Sequence, residues 1–499
     1  MASHLANGDS RLSFWLRVRE YAVPPSMVET ATARRRAGDW AGACAAAGID
    51  VDLAPRSVAL SHGREAAAQL RDDLRHLAPD LLRWHMPRIA PDGLLRPALT
   101  VSLARYEGAG RDGVSPLHLV VRTPPARADA GQRMSLALWD ASRPGTGAGS
   151  HPHARPSRRF RLDLHRHLWD VRRTRELRTR SGADRPPPFA PSARDAPPRP
   201  PDSLTDDGRC AASWWAALPD SLTDAGRCAT ETWSALPGPG RCAVDLWAAE
   251  ARLLLRADGS AADGVVVRLD ARHRLLLTPV GDGTGPPEVE VTRVSAGGRV
   301  AALPVLPDAA TWVLPDLELL RAGLAEPGLL HPLVAESLVP GHTPGPARAV
   351  EPPGAPHVVE CRGRQHRIGL VDGVLAPLDH EPGEVRREEL LAALSGPPLP
   401  CLRAIDEAHR RPDCLTGVRE RLLHGDIAGA LAVVEGLLGP GAVLRSGPLL
   451  DELEAAAQRR IAYGLFRADL ADPVPRRTLL PGPTRPRAHR YRPRHTTAR

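Results

Sequence analysis

Asp163, His165 and His167 alternate along one short stretch. In a strand, residues two apart share a face. The three side chains would then form a two-histidine, one-carboxylate set, which leaves open positions on iron, manganese or zinc. His151 and His153 lie just upstream. Against a cation stand Arg158, Arg159, Arg161 and Arg166, which crowd the stretch with positive charge. A helix starting at His165 would also scatter the set. The competing expectation is that Asp163 pairs with an arginine, that no metal is held, and that the chain carries no cofactor.

Two further motifs name chemistries that their surroundings argue against. Ile405-Asp406-Glu407-Ala408-His409 matches the acidic box of ATP-dependent helicases, where the acids end a buried strand and hold magnesium. Here Pro400-Cys401-Leu402-Arg403-Ala404 precedes it, which is no β-branched strand. The chain also contains no lysine, so all 66 basic residues are arginine. A P-loop needs its lysine on the phosphates, and a Schiff-base enzyme needs an amine. Any ATPase function would therefore come from a partner. Gly108-Ala109-Gly110-Arg111-Asp112-Gly113 has dinucleotide-loop spacing, but Val114-Ser115-Pro116 leads into another strand. With no helix N-terminus there is no dipole for a pyrophosphate, and a hairpin loop is expected.

The seven cysteines show no zinc-knuckle spacing. Three of them open Cys-x4-Trp units: Cys210 with Trp215, Cys228 with Trp233, and Cys242 with Trp247. Zinc modules pair cysteines about two to four residues apart, whereas these lie 18 and 14 residues apart. The units read as a short duplication, each forming a helical turn whose tryptophan packs on a neighbour. No cysteine shows a convincing histidine partner, and reduced thiols are expected.

Charge is localised at the C-terminal end. Arg476, Arg477, Arg485, Arg487, Arg490, Arg492, Arg494 and Arg499 share residues 473–499 with no acid after Asp472. These eight arginines equal the formal net charge of +8. Such a tail suits nucleic acid or another polyanion. With 52 prolines, 44 glycines and one asparagine, the composition reflects a very GC-rich genome, which makes any single arginine weaker evidence of function.

The elements around these residues form an α+β pattern. Arg56–Leu77 is the clearest helix: Leu70, Leu74, Leu77 and Leu81 share one face, and Ala78-Pro79 breaks it. Ala98–Tyr106, Leu117–Thr123 and Met134–Asp140 alternate as a three-strand meander, with a further strand expected at Phe160–Leu164. Beyond the proline-rich stretch, a helix over Ala243–Arg256 precedes strands at Gly264–Leu269, Arg272–Val280, Pro287–Arg293 and Val300–Val305. A hairpin set over His357–Pro377 follows, and then helices up to Arg467. Gly38-Asp39 and Gly425-Asp426 punctuate helix pairs alike, glycine closing one helix and aspartate capping the next.

The reading divides the chain into an N-terminal α+β unit (1–182), a Pro-rich linker (183–242), a β-rich unit with short helices (243–383), a helical block (384–472) and a disordered Arg-rich tail (473–499). The function it favours is a non-enzymatic, cytoplasmic interaction or scaffold protein with protein partners. The alternatives are a nucleic-acid-associated protein acting through the tail, and a metal-dependent enzyme. No run approaches the roughly 18 apolar residues of a membrane span, so no membrane partner is expected.

Overall fold

Proline begins many of the helices, occupying the first turn, where its missing N–H costs nothing. The computed structural model describes residues 10–128, 132–143, 151–185, 221–222, 241–342 and 357–470. Breaks within these spans fall at 261, 281–287, 295–299, 301, 362, 372–373, 395–398, 411–414, 439–443 and 445. The tail arginines and the first two Cys-x4-Trp units lie outside the described residues.

The first unit opens with α1 (Ser10–Tyr21), α2 (Pro25–Arg36), α3 (Trp40–Ala46), strand β1 (Ile49–Val51), α4 (Pro55–His76) and α5 (Pro79–His85). A two-strand ribbon follows, β2 (Arg88–Ile89) with β3 (Leu94–Leu95). The expected meander is present as β4 (Thr100–Tyr106), β5 (Leu117–Arg122) and β6 (Met134–Asp140). To it β1 adds a parallel edge, Ile49 opposite Met134, giving the order β1-β6-β5-β4. The leucine stripe of α4 and α5 packs with Val101, Leu103, Leu119 and Leu136 in one core.

Phe160–Leu164 is not a strand. Arg161 makes one parallel bridge to Ser102. The chain then winds through 3-10 turns at Arg166–Leu168 and Val171–Glu176 into α6 (Leu177–Arg180). The Asp170 carboxylate accepts from the Arg172 amide and starts the second of these turns.

The second sheet runs β7 (Ser221–Leu222), β10 (Glu288–Val294), β9 (Arg274–Val280), β8 (Val265–Arg268), with α7 (Val244–Ala257) against it. Trp247, from the third Cys-x4-Trp unit, is 1% exposed and donates its indole N–H to the Thr311 carbonyl at 3.1 Å. The Val300–Val305 strand reduces to one bridge, Val266 to Val305. Next come α8 (Asp308–Thr311), α9 (Pro315–Arg321) and α10 (Pro332–Leu338). From these last helices Leu319, Val334 and Leu338 join the first core.

The hairpin set forms as β11 (His357–Cys361), β12 (Arg364–Val371) and β13 (Val374–Pro377). The chain continues through α11 (Pro382–Leu394), α12 (Pro400–Arg410), α13 (Leu415–His424), α14 (Ile427–Leu438) and α15 (Pro448–Arg467). The acidic box therefore lies on α12 rather than at a strand end. Gly38 and Gly425 have φ of +77° and +86°, and the Asp39 and Asp426 carboxylates accept from Gly42 and Gly429 amides at 2.8 and 2.9 Å. A Cβ on Gly42 or Gly429 would fall 2.1 Å from that carboxylate, so any side chain there would have to displace the capping aspartate.

Buried Arg83 links the regions, donating to the carbonyls of Ala22, Gln132 and His424 at 3.1, 2.5 and 2.8 Å. Among the described residues, no helix is long and apolar enough to cross a membrane.

Candidate functional site

A cavity of about 480 Å³ opens between α1, α5, the Arg159–Leu168 segment, α6, α7 and the 308–315 stretch. That volume lies in the range of small-molecule sites, roughly 300–1,000 Å³. Its wall carries eight arginines but only two acids, Asp270 and Asp308, together with the rings of Trp15, Trp84, Phe160 and Trp312.

Most of the arginines are paired with carboxylates. Arg19 reaches Asp316 at 2.7 Å with both side chains buried, and its guanidinium lies over the Trp15 and Trp84 rings. The second Asp316 oxygen accepts from the Trp84 indole at 3.0 Å. Arg11 pairs with Glu318, Arg159 with Asp308, and Arg180 with Glu250. Arg161 bridges Asp163 and Asp258.

Arg88 and Arg96 differ. Among the described residues neither has a carboxylate within ion-pair distance. Arg88 donates to the Arg83 and Gly93 carbonyls at 2.8 and 3.4 Å, while its buried Nε has no partner. Burial, followed by the charges of Arg83 and Arg19, holds its pKa well below the ordinary arginine range. The Arg96 guanidinium rests 5.8 Å from the centre of the Phe160 ring.

Two imidazoles complete the wall, His85 half-buried and His167 buried. His85 Nδ1 lies 3.1 and 3.0 Å from the Leu81 and Leu168 carbonyls, so it carries the hydrogen and Nε2 is left as an acceptor. Burial lowers this histidine to about 4, and His167 falls well below its usual value for the same reason. His85 Nε2 and His167 Nδ1 are buried and have no partner among the described residues.

The candidate metal set is only partly brought together. The His165 and His167 rings sit 5.8 Å apart, edge to face. Asp163 is held by Arg161 at 2.7 Å, and His165 Nε2 lies 3.2 Å from Glu250. His167 lines the cavity instead. The glycine-rich stretch 108–113 is a hairpin loop between β4 and β5, closed by the Gly110 amide on the Ser115 carbonyl. Sequence reasoning missed His85, Arg88 and Arg96. Arginine is everywhere in this chain, and the three residues acquire meaning only from the cavity that α1 and the 308–315 stretch close over them.

Comparison with protein families, with curated proteins and with solved structures gives no match. The chemistry of the wall is therefore the basis for a functional reading.

Proposed function

We propose that this chain is a non-enzymatic binding protein whose cavity takes a small organic anion with an apolar or aromatic body. The observation that carries the reading is the arginine-rich wall, in which Arg88 and Arg96 have no carboxylate within ion-pair distance among the described residues and Arg96 rests against the Phe160 ring. An anion in the cavity would neutralise these cations, and the planar fork of arginine matches carboxylate, sulfonate or phosphate. The free nitrogen of His85 adds an acceptor for a ligand hydroxyl or N–H.

The test is titration of 2-naphthalenesulfonate against uncharged 2-naphthalenemethanol, read by tryptophan fluorescence. The sulfonate is expected to bind more tightly. Arg88→Met and Arg96→Met should each weaken it about 10-fold or more, since a charge-assisted hydrogen bond is worth about 1.5–3 kcal/mol. Equal binding of the two probes, or variants indistinguishable from wild type, would refute the reading.

The acid-free run of eight arginines after Asp472 supports a second reading, polyanion contact through the tail.

A further inference from the structure

Cys361, His380 and Cys401 are 19 and 21 residues apart in sequence, and no local motif links them. The fold brings them together. Cys361 ends β11, His380 follows β13, and Cys401 is the second residue of α12. One ligand atom from each lies within 4.8 Å of the others, and Cys401 Sγ is 3.7 Å from His380 Nε2. Both thiols are buried, and the imidazole is 4% exposed. In a tetrahedral zinc site with Zn–S near 2.3 Å, sulfurs sit about 3.8 Å apart, so little contraction is needed.

The surroundings support a ligand role for the imidazole. Glu384 Oε2 lies 3.4 Å from His380 Nδ1, leaving Nε2 directed to the thiols. A carboxylate on the far nitrogen is the usual way a metal-binding histidine is oriented. The His366 ring stacks on His380 at 4.3 Å and 18°, which fixes the plane of the imidazole. Two thiolates and an imidazole are a soft donor set that selects zinc over magnesium or calcium. Metal uptake by two thiols would release their protons.

We infer that Cys361, His380 and Cys401 form a zinc site that ties the β11–β13 sheet to α12, with an exchangeable fourth position. This site is independent of the arginine-walled cavity.

The test uses the full-length chain, stripped by chelator under reducing conditions and then dialysed against zinc chloride. One zinc per chain is expected. Cobalt should give a thiolate-to-metal charge-transfer band, and zinc should raise the melting temperature. Cys361→Ser and Cys401→Ser should lose the metal, while Cys242→Ser, at a buried thiol outside this cluster, should keep it. Glu384→Gln should weaken zinc about 10-fold or more. Peptide mapping of alkylated cysteines needs no variant to fold, and zinc should protect Cys361 and Cys401 selectively. The inference is overturned if the wild-type chain takes up no zinc, if both serine variants retain it, or if zinc leaves alkylation of the two cysteines unchanged.

Discussion

Replacing Arg19 by methionine should destabilise the protein severely, because it strands the Asp316 charge in the interior. The two side chains are 2% and 0% exposed, and the contact is 2.7 Å. At that distance, with an effective dielectric of about 20, the Coulomb term is about 6 kcal/mol. Desolvation offsets much of it, and removing one partner of such a pair typically costs about 3–5 kcal/mol. The Trp84 indole remains on Asp316 but supplies only one neutral donor. Asp316→Asn in the same background removes the stranded charge and keeps an acceptor for Trp84. The double variant should therefore recover stability, with a coupling energy of about 2 kcal/mol or more. Urea titrations followed by tryptophan fluorescence and far-ultraviolet circular dichroism give the four corners of the cycle. A single-variant loss below about 1 kcal/mol, or additive losses, would show that water or another cation already neutralises Asp316.

Acid should destabilise the protein through its buried histidines. Burial lowers His424 to about 3 and His118 to about 4. The unfolded chain takes up these protons first, so their stabilising contribution is complete above about pH 6.5 and is lost as pH falls from there toward the folded values. Each contributes a slope of about 1.4 kcal/mol per pH unit in that window, and His424→Gln should remove one proton from the linkage measured by urea titration between pH 5 and 7. Asp426→Ala should cost about 1 kcal/mol through the lost cap on α14, read in the same titration, and Asp39→Ala should cost a similar amount at α3. Truncation after Asp472 should abolish any affinity for random duplex DNA, RNA or heparin. The full chain, engaging about six phosphates, should show a log–log salt slope near −5 on DNA. Equal affinity of the two proteins would put the contact in the described units.

Much of the fold was legible wherever one element carried its own pattern. The leucine stripe through Leu70 and Leu74 marks α4 because one face is buried. Met134–Asp140 has the expected bounds, because alternation defines it, and the last described helix ends at Arg467 as expected. β1 escaped notice because three residues hold no alternation and it exists only by pairing with β6. Phe160–Leu164 misled because its apolar residues alternate. The intervening Arg161 and Asp163 are spent on each other and on Asp258, and the chain turns into 3-10 geometry. The sites were less legible. In a chain whose 66 cations are all arginine, residue type says little about which of them face a cavity. Cys361, His380 and Cys401 converge only once a hairpin has folded and a helix has docked on it.

The closing contacts of the first sheet have a consequence for biosynthesis. Strand β1 is flanked by Tyr463 on Asp50 and by Arg467 on Asp52, partners separated by 413 and 415 residues. Arg83 likewise receives one of its acceptors from His424, 341 residues later. At about 5–20 residues per second, translation separates strand and helix by roughly 20–80 s. Throughout that interval Asp50 and Asp52 lack their helix partners, and Arg83 lacks one of its carbonyl acceptors. Nascent chains stalled before residue 448 should therefore recruit holding chaperones more strongly than chains released after residue 470, and this folding delay is set by the gene's length rather than by any local barrier.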